Sequence, residues 1–156
     1  QEVLRDSYQL IQKERADLRH QMSREMSRRD LEARKELLAL RRDMTERIFA
    51  DAEAALRAYA ETPPYIEHLK ASLAALAKVL PAEGTVFEIA RRDGALLDIL
   101  RPLCPPGASI GLADDIVLGG MRGVNAAAGM LADDTLDTRL ESQREWFVSH
   151  SGLTVG

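Results

Sequence analysis

The residues that could do chemistry are few and scattered. Three histidines (His20, His68, His150), one cysteine (Cys104), the acid pairs Asp114-Asp115 and Asp133-Asp134, and the run Gly119-Gly120-Met121-Arg122-Gly123 are the candidates. A zinc centre needs three or four convergent ligands. The histidines fall on three different predicted helices, none followed by a ligand at i+3 or i+4, so no metal is expected. Cys104 lies between prolines without the signature of a nucleophile and reads as a small apolar filler. A lone cysteine also excludes an internal disulfide and fits a reducing compartment. Adjacent aspartates on a strand point to opposite faces, and turns and caps use aspartate routinely, so the two pairs predict no acid–base dyad. The glycine run lacks the GxxxxGK[ST] pattern and precedes no predicted helix, as a phosphate loop would; a bulge or tight sheet packing explains it. With three Phe, three Tyr and one Trp, a surface for stacking bases is also not expected. The residue types therefore predict no catalytic group, no cofactor and no metal, and point to an interaction or scaffold protein rather than an enzyme.

What positions these residues is dominated by one element. From Gln1 to Thr62 there is neither glycine nor proline, a run far longer than the 8–20 residues of an ordinary globular helix. If continuous, it spans roughly 90 Å at about 1.5 Å per residue. Ile11, Met22, Ala33, Met44 and Ala55 recur every 11 residues, flanked by the rows Arg15, Met26, Leu37, Ile48 and Leu18, Arg29, Leu40. An 11-residue repeat is 3.67 residues per turn and predicts a right-handed supercoil. The stripe is narrow and interrupted by Arg15 and Arg29, wide enough for one partner helix and no more. Its seam is Ile11, Leu18, Met22, Met26, Ala33, Leu37, Leu40 and Met44. Acid-to-base pairs four apart (Glu25–Arg29, Asp30–Arg34, Asp43–Arg47, Glu53–Arg57) mark the solvated face.

Charge narrows the choice of partner. Residues 1–47 carry 12 Lys/Arg against 10 Asp/Glu, interleaved, while the remainder holds 9 against 15, for an overall −4. Binding nucleic acid gains from uncompensated positive charge through counterion release, which a net +2 does not supply. The opposite signs suggest two surfaces with two partners. No apolar run approaches the ~18 residues of a membrane span and none resembles a signal peptide, so a cytoplasmic location without membrane insertion is expected. The sequence starts at Gln1 within the repeat, which predicts a longer natural arm.

At 156 residues there is room for the arm (1–62) and one modest head (63–156). The arm should stop before Pro63-Pro64, with Ile48, Ala52, Ala55, Leu56 and Tyr59 docking its last turns on the head. A second helix carries Ile66, Leu69, Leu73, Leu76 and Leu80 and ends at Pro81. Strands are predicted at Thr85–Ala90, Ala108–Leu112 and Ile116–Leu118, with a weaker one at Val124–Met130. Asp93-Gly94 is expected to cap a helix over Leu96, Leu97, Ile99 and Leu100. The last helix is capped by Asp134-Thr135-Leu136-Asp137, with Leu136, Leu140, Gln143 and Phe147 as its stripe and a stop at Gly152. The fold class is α+β: a long coiled-coil helix, then a small α/β head with about four strands flanked by helices.

The head also carries a recognisable pattern. Gly119-Gly120, then about a dozen residues, then Asp133-Asp134-Thr135-Leu136-Asp137-Thr138-Arg139-Leu140-Glu141 resembles the C-terminal signature of the peripheral-stalk E subunit of V-type and A-type ATPases. Asp134 stands where that family usually has asparagine, and Gly123–Gly129 is unusually rich in small residues. The resemblance rests on Gly119, Gly120, Asp134, Thr135, Leu136, Arg139 and Leu140 and on the arm-plus-head organisation. It implies a non-catalytic peripheral-stalk (stator) component that resists rotor torque in a proton- or sodium-translocating ATPase. Its arm would pair with a second helical stalk component (the G or H subunit) and reach a membrane-sector component at its far end. Its head would bind the B subunit of the catalytic hexamer. Competing readings are a stator of a flagellar or type III secretion export ATPase, disfavoured by the Asp133–Glu141 stretch, and an arginine-rich nucleic-acid-binding module, disfavoured by the interleaved acids.

Overall fold

A computed structural model describes residues 1–150. Helix α1 runs unbroken over Glu2–Tyr59, as a stretch free of breakers should, and unwinds three residues before the proline pair. By packing, the chain divides inside α1: Gln1–Thr45 forms one unit and the second begins at Glu46.

In the second unit, the last turns of α1 meet the head through Phe49, which is buried and packs edge-on against Phe147 with ring centroids 5.6 Å apart. The Arg144 guanidinium lies over the Phe49 ring, 4.8 Å from its centre. Leu56, Tyr59 and Ala60 join the core edge. Ile48 and Ala55, expected to dock, are exposed; the docking face is rotated by about one residue, because the aromatic side chain removes more apolar area from water.

Helix α2 covers Pro63–Val79 with proline in its first turn, where a missing N–H costs nothing. Its face of Leu69, Leu73 and Leu76, with Leu80 beyond its end, packs on Phe87, Ile89 and Met121 of the sheet. Tyr65, absent from the predicted stripe, is fully buried beside them.

The sheet has the order β2-β1-β3-β4. Strand β1 is Val86–Ala90 and β2 is Ser109–Ala113, paired in parallel. Strands β3 (Gly120–Asn125) and β4 (Met130–Thr135) form an antiparallel hairpin whose first strand lies against β1. The α+β class, four strands included, is observed, but two strands differ from expectation. Ile116–Leu118 is not a strand. Ile116 and Leu118 are buried and Val117 exposed, an alternation that imitates one, while the segment's N–H groups bond to a carboxylate instead of a neighbouring strand. The predicted strand Val124–Met130 is the hairpin turn: Ala126–Gly129 reverses the chain, with the Ala128 N–H donating to the Asn125 side chain at 2.9 Å and Gly129 at φ +65°. The strands lie on either side of it, one through the glycines and one through Asp133-Asp134.

Between β1 and β2 the expected single helix is broken into a 3-10 segment (Arg91–Leu96), α3 (Leu97–Leu100) and a second 3-10 segment (Arg101–Leu103). Asp93 caps nothing by its side chain; it is buried and accepts a hydrogen bond from Tyr65. Helix α4 spans Leu136–His150, burying Leu136 and partly burying Leu140, Arg144 and Phe147, while Gln143 is exposed. The stop at Gly152 lies outside the described residues.

Candidate functional site

Two regions bear on function: the seam of α1 and the junction that closes the head.

Along the first unit every seam residue faces solvent. Ile11, Leu18, Met22, Met26, Leu37, Leu40 and Met44 are between 47% and 66% exposed, and Ala33 is exposed too. Single exposed leucines need no explanation, but a row of them repeating along one line of a helix does. The 11-residue step keeps Ile11, Met22, Ala33 and Met44 on one line. Glu25 bonds Arg28 at 3.0 Å and Arg29 at 3.5 Å, and Arg57 bonds Glu53 at 2.9 Å. Asp30–Arg34 and Asp43–Arg47, also expected, form no ion pair among the described residues, leaving those charges free for other contacts.

The head junction explains most of the motif. Gly119 and Gly120 have φ of +128° and +86°, conformations that favour glycine. A Cβ on Gly119 would lie 2.5 Å from the Tyr65 hydroxyl; one on Gly120 would lie 2.8 Å from the Leu136 nitrogen and the Thr135 Cα. The close approach lets the Leu136 N–H donate to the Gly119 carbonyl at 2.9 Å, and the Gly120 N–H donate to the Tyr65 hydroxyl at 2.8 Å. That hydroxyl in turn donates to Asp93 at 2.6 Å. Burial, then the Asp93 contact, pushes the Tyr65 phenol above its usual range. Burial also raises the Asp93 carboxyl, against the lowering effect of Tyr65 and Arg92. The Arg92 guanidinium donates to the Leu118 carbonyl.

From the other side, Asp137 reaches back out of α4. Its carboxylate accepts the N–H groups of Val117 and Leu118 at 2.9 Å each and of Gly119 at 3.4 Å. The cap of α4 is Thr135, not Asp134: the Thr138 N–H donates to the Thr135 hydroxyl at 3.2 Å. Threonine wins because Asp134 is already engaged, accepting from Ser72 of α2 at 2.6 Å and from Arg139 at 2.5 and 3.0 Å. Asp133 accepts from the Thr135 N–H and hydroxyl and from Thr138, at 2.7–2.9 Å. Burial pushes its carboxyl up, but these bonds outweigh that and hold it below the usual range. Leu140 packs at the core edge. Gly120 and Asp134 thus join α2 to the sheet, and Gly119, Leu136 and Asp137 join the start of α4 to the loop before β3.

The remaining candidates do not converge. No group of three His, Cys, Asp or Glu able to hold a metal exists among the described residues. His68 stacks on Tyr65 and meets Tyr59 edge-on, and His150 stacks on Trp146. Cys104 is partly buried against the core, which raises its thiol. Asp114 pairs with Arg91 at 2.5 Å, and Asp115 and Glu88 share Arg122, so the glycine run's arginine crosslinks sheet to loop. A Cβ on Gly123 would meet the Leu80 side chain at 2.3 Å, so the glycine admits the end of α2 against the sheet. Sequence reasoning missed Phe49, Tyr65, Ser72 and the backbone-binding role of Asp137. A lone aromatic beside an apolar stripe was the only signal for the first two.

Neither protein-family models nor curated proteins give a match to the chain. No helix among the described residues is long and apolar enough to cross a membrane.

Proposed function

We propose that the chain is a non-catalytic stator component of the E-subunit kind, working in the peripheral stalk of a V- or A-type ATPase. The observation that carries this reading is the solvent-exposed seam from Ile11 to Met44, repeating every 11 residues on a single unbroken helix. A helix with that stripe and no core of its own to bury it against is suited to holding one other helix along its length. The resemblance of Gly119–Glu141 to the stalk signature supplies the machine. The helical partner would be the second stalk component (the G or H subunit), the head would seat on the B subunit of the catalytic hexamer, and the far end of the arm would meet the membrane sector. The protein would then be cytoplasmic and peripheral to the membrane by association.

The head's construction supports a mechanical role. Torque applied to a stalk must pass from α1 into the unit that grips the hexamer, and α1 enters that unit through Phe49, Leu56 and Tyr59 against α4 and α2. The Asp134 and Tyr65 bonds then fasten α2 to the sheet, and Asp137 fastens α4 to the loop that leads into β3. Co-expression with the products of its neighbouring genes tests the reading. A small helical chain should co-purify in a one-to-one complex that binds the hexamer through the head; isolation of the chain without any such partner would overturn it.

A further inference from the structure

The seam is flanked asymmetrically, and the asymmetry specifies an occupant. With three turns per 11 residues, each residue advances about 98° around the helix. Taking Ile11, Met22, Ala33 and Met44 as the centre line, the positions about 65° and 98° to one side hold Glu14, Glu25, Glu36, Glu32 and Asp43, with no base over residues 12–45. The same positions on the other side hold Arg19, Arg34 and Arg41, with Asp30 the only acid. Among the described residues, none of Glu14, Glu32, Glu36, Arg19, Arg34 and Arg41 has an ionic partner in its own chain, whereas Glu25 is held by Arg28 and Arg29.

Symmetry decides what such flanks can face. In a parallel pair the two-fold axis runs along the helices and brings opposite flanks together, acid against base on both sides of the seam. In an antiparallel pair the axis is perpendicular and sets acid against acid and base against base. We propose that α1 pairs with a second copy of this chain, parallel and in register, through the Ile11–Met44 seam. The seam arginines are compatible. Arg15 leans toward the basic flank, which faces the copy's acidic flank; Arg29, 3.5 Å from Glu25, is neutralised within its own helix. This occupant goes beyond the stator reading and does not depend on it. Where a stalk partner is present, it must compete with the second copy for the same stripe.

The test uses the full chain with Cys104→Ser, so that an introduced thiol is the only one. Met22→Cys, at the centre line, should give a disulfide-linked dimer under mild oxidation, and the untreated chain should sediment as a dimer that weakens with added salt. Reversing one flank (Glu14→Lys, Glu25→Lys, Glu36→Lys) should weaken self-association at least about tenfold. So should reversing the other (Arg19→Glu, Arg34→Glu, Arg41→Glu), and mixing the two variants should restore pairing. A chain monomeric at every concentration overturns the proposal. So does crosslinking that appears only when Met22→Cys and Ala33→Cys chains are mixed, the antiparallel result. Neither outcome touches the stator reading, which falls only if no partner helix co-purifies.

Discussion

Asp137 sits in the first turn of α4, yet its carboxylate serves three N–H groups of the preceding loop. Hydrogen bonds to a charged acceptor contribute about 1.5–3 kcal/mol each to stability when the donor would otherwise be left bare. Asp137→Ala should therefore lower unfolding free energy by about 3 kcal/mol in urea titration, with Asp137→Asn recovering part of it. Gly120→Ala should be at least as costly, about 3 kcal/mol or more, since a strained φ and a backbone clash act together. Two aspartates should respond to pH in opposite senses. Asp93 is raised on folding, so its stabilising contribution is complete below the unfolded carboxylate value and is lost as pH rises through its folded value. Asp93→Asn, which keeps an acceptor for Tyr65, should remove that loss and gain on the wild type as pH climbs from acid to neutral. Asp133 is lowered, so its contribution exists above the unfolded value and disappears as pH falls through the folded one. Asp133→Asn should be destabilised at neutral pH and converge with the wild type in acid. Chemical unfolding of the three proteins across that range checks both signs.

At the scale of elements, α1, α2 and α4 were legible because their signals are local: absence of breakers, proline in a first turn, a 3.6-residue stripe. The hairpin was not. Gly120 and Gly123 look like interruptions of a strand, but they lie within β3 because α2 and the start of α4 approach that strand too closely for a side chain. Asp133 and Asp134 look like a turn or a cap, yet they end β4 because their carboxylates bond to Thr135, Ser72 and Arg139. The glycine contacts and the Ser72 bond are tertiary, and no window of sequence contains them. The same logic makes Gly123→Ala informative. Alone it should cost about 1–3 kcal/mol by overpacking. Since the atom it meets is the tip of Leu80, adding Leu80→Ala should make the pair less destabilised than the sum of the two single changes. Phe49→Ala should cost about 3 kcal/mol and loosen the last turns of α1, read as faster amide exchange over residues 46–59.

For the molecule as a whole, the legible feature was the one that no tertiary contact among the described residues satisfies. A stripe repeating every 11 residues is visible in sequence because it is narrow and stands among charged neighbours, and the structure leaves it in water. The head motif was legible as a pattern of letters, while its content, a carboxylate-locked junction, exists only once Asp137 and Val117–Gly119 meet in the fold. On the stator reading, the Ile11–Met44 seam holds the helix of a second stalk component. Its most direct test is native mass measurement of the chain co-expressed with its gene neighbours, compared with the variant Met26→Asp, Leu37→Asp, Met44→Asp. A one-to-one complex with a small helical chain is expected, lost completely by the triple variant, while the head unfolds at an unchanged denaturant midpoint. A partner retained by the triple variant, or no partner for the natural chain, would contradict it.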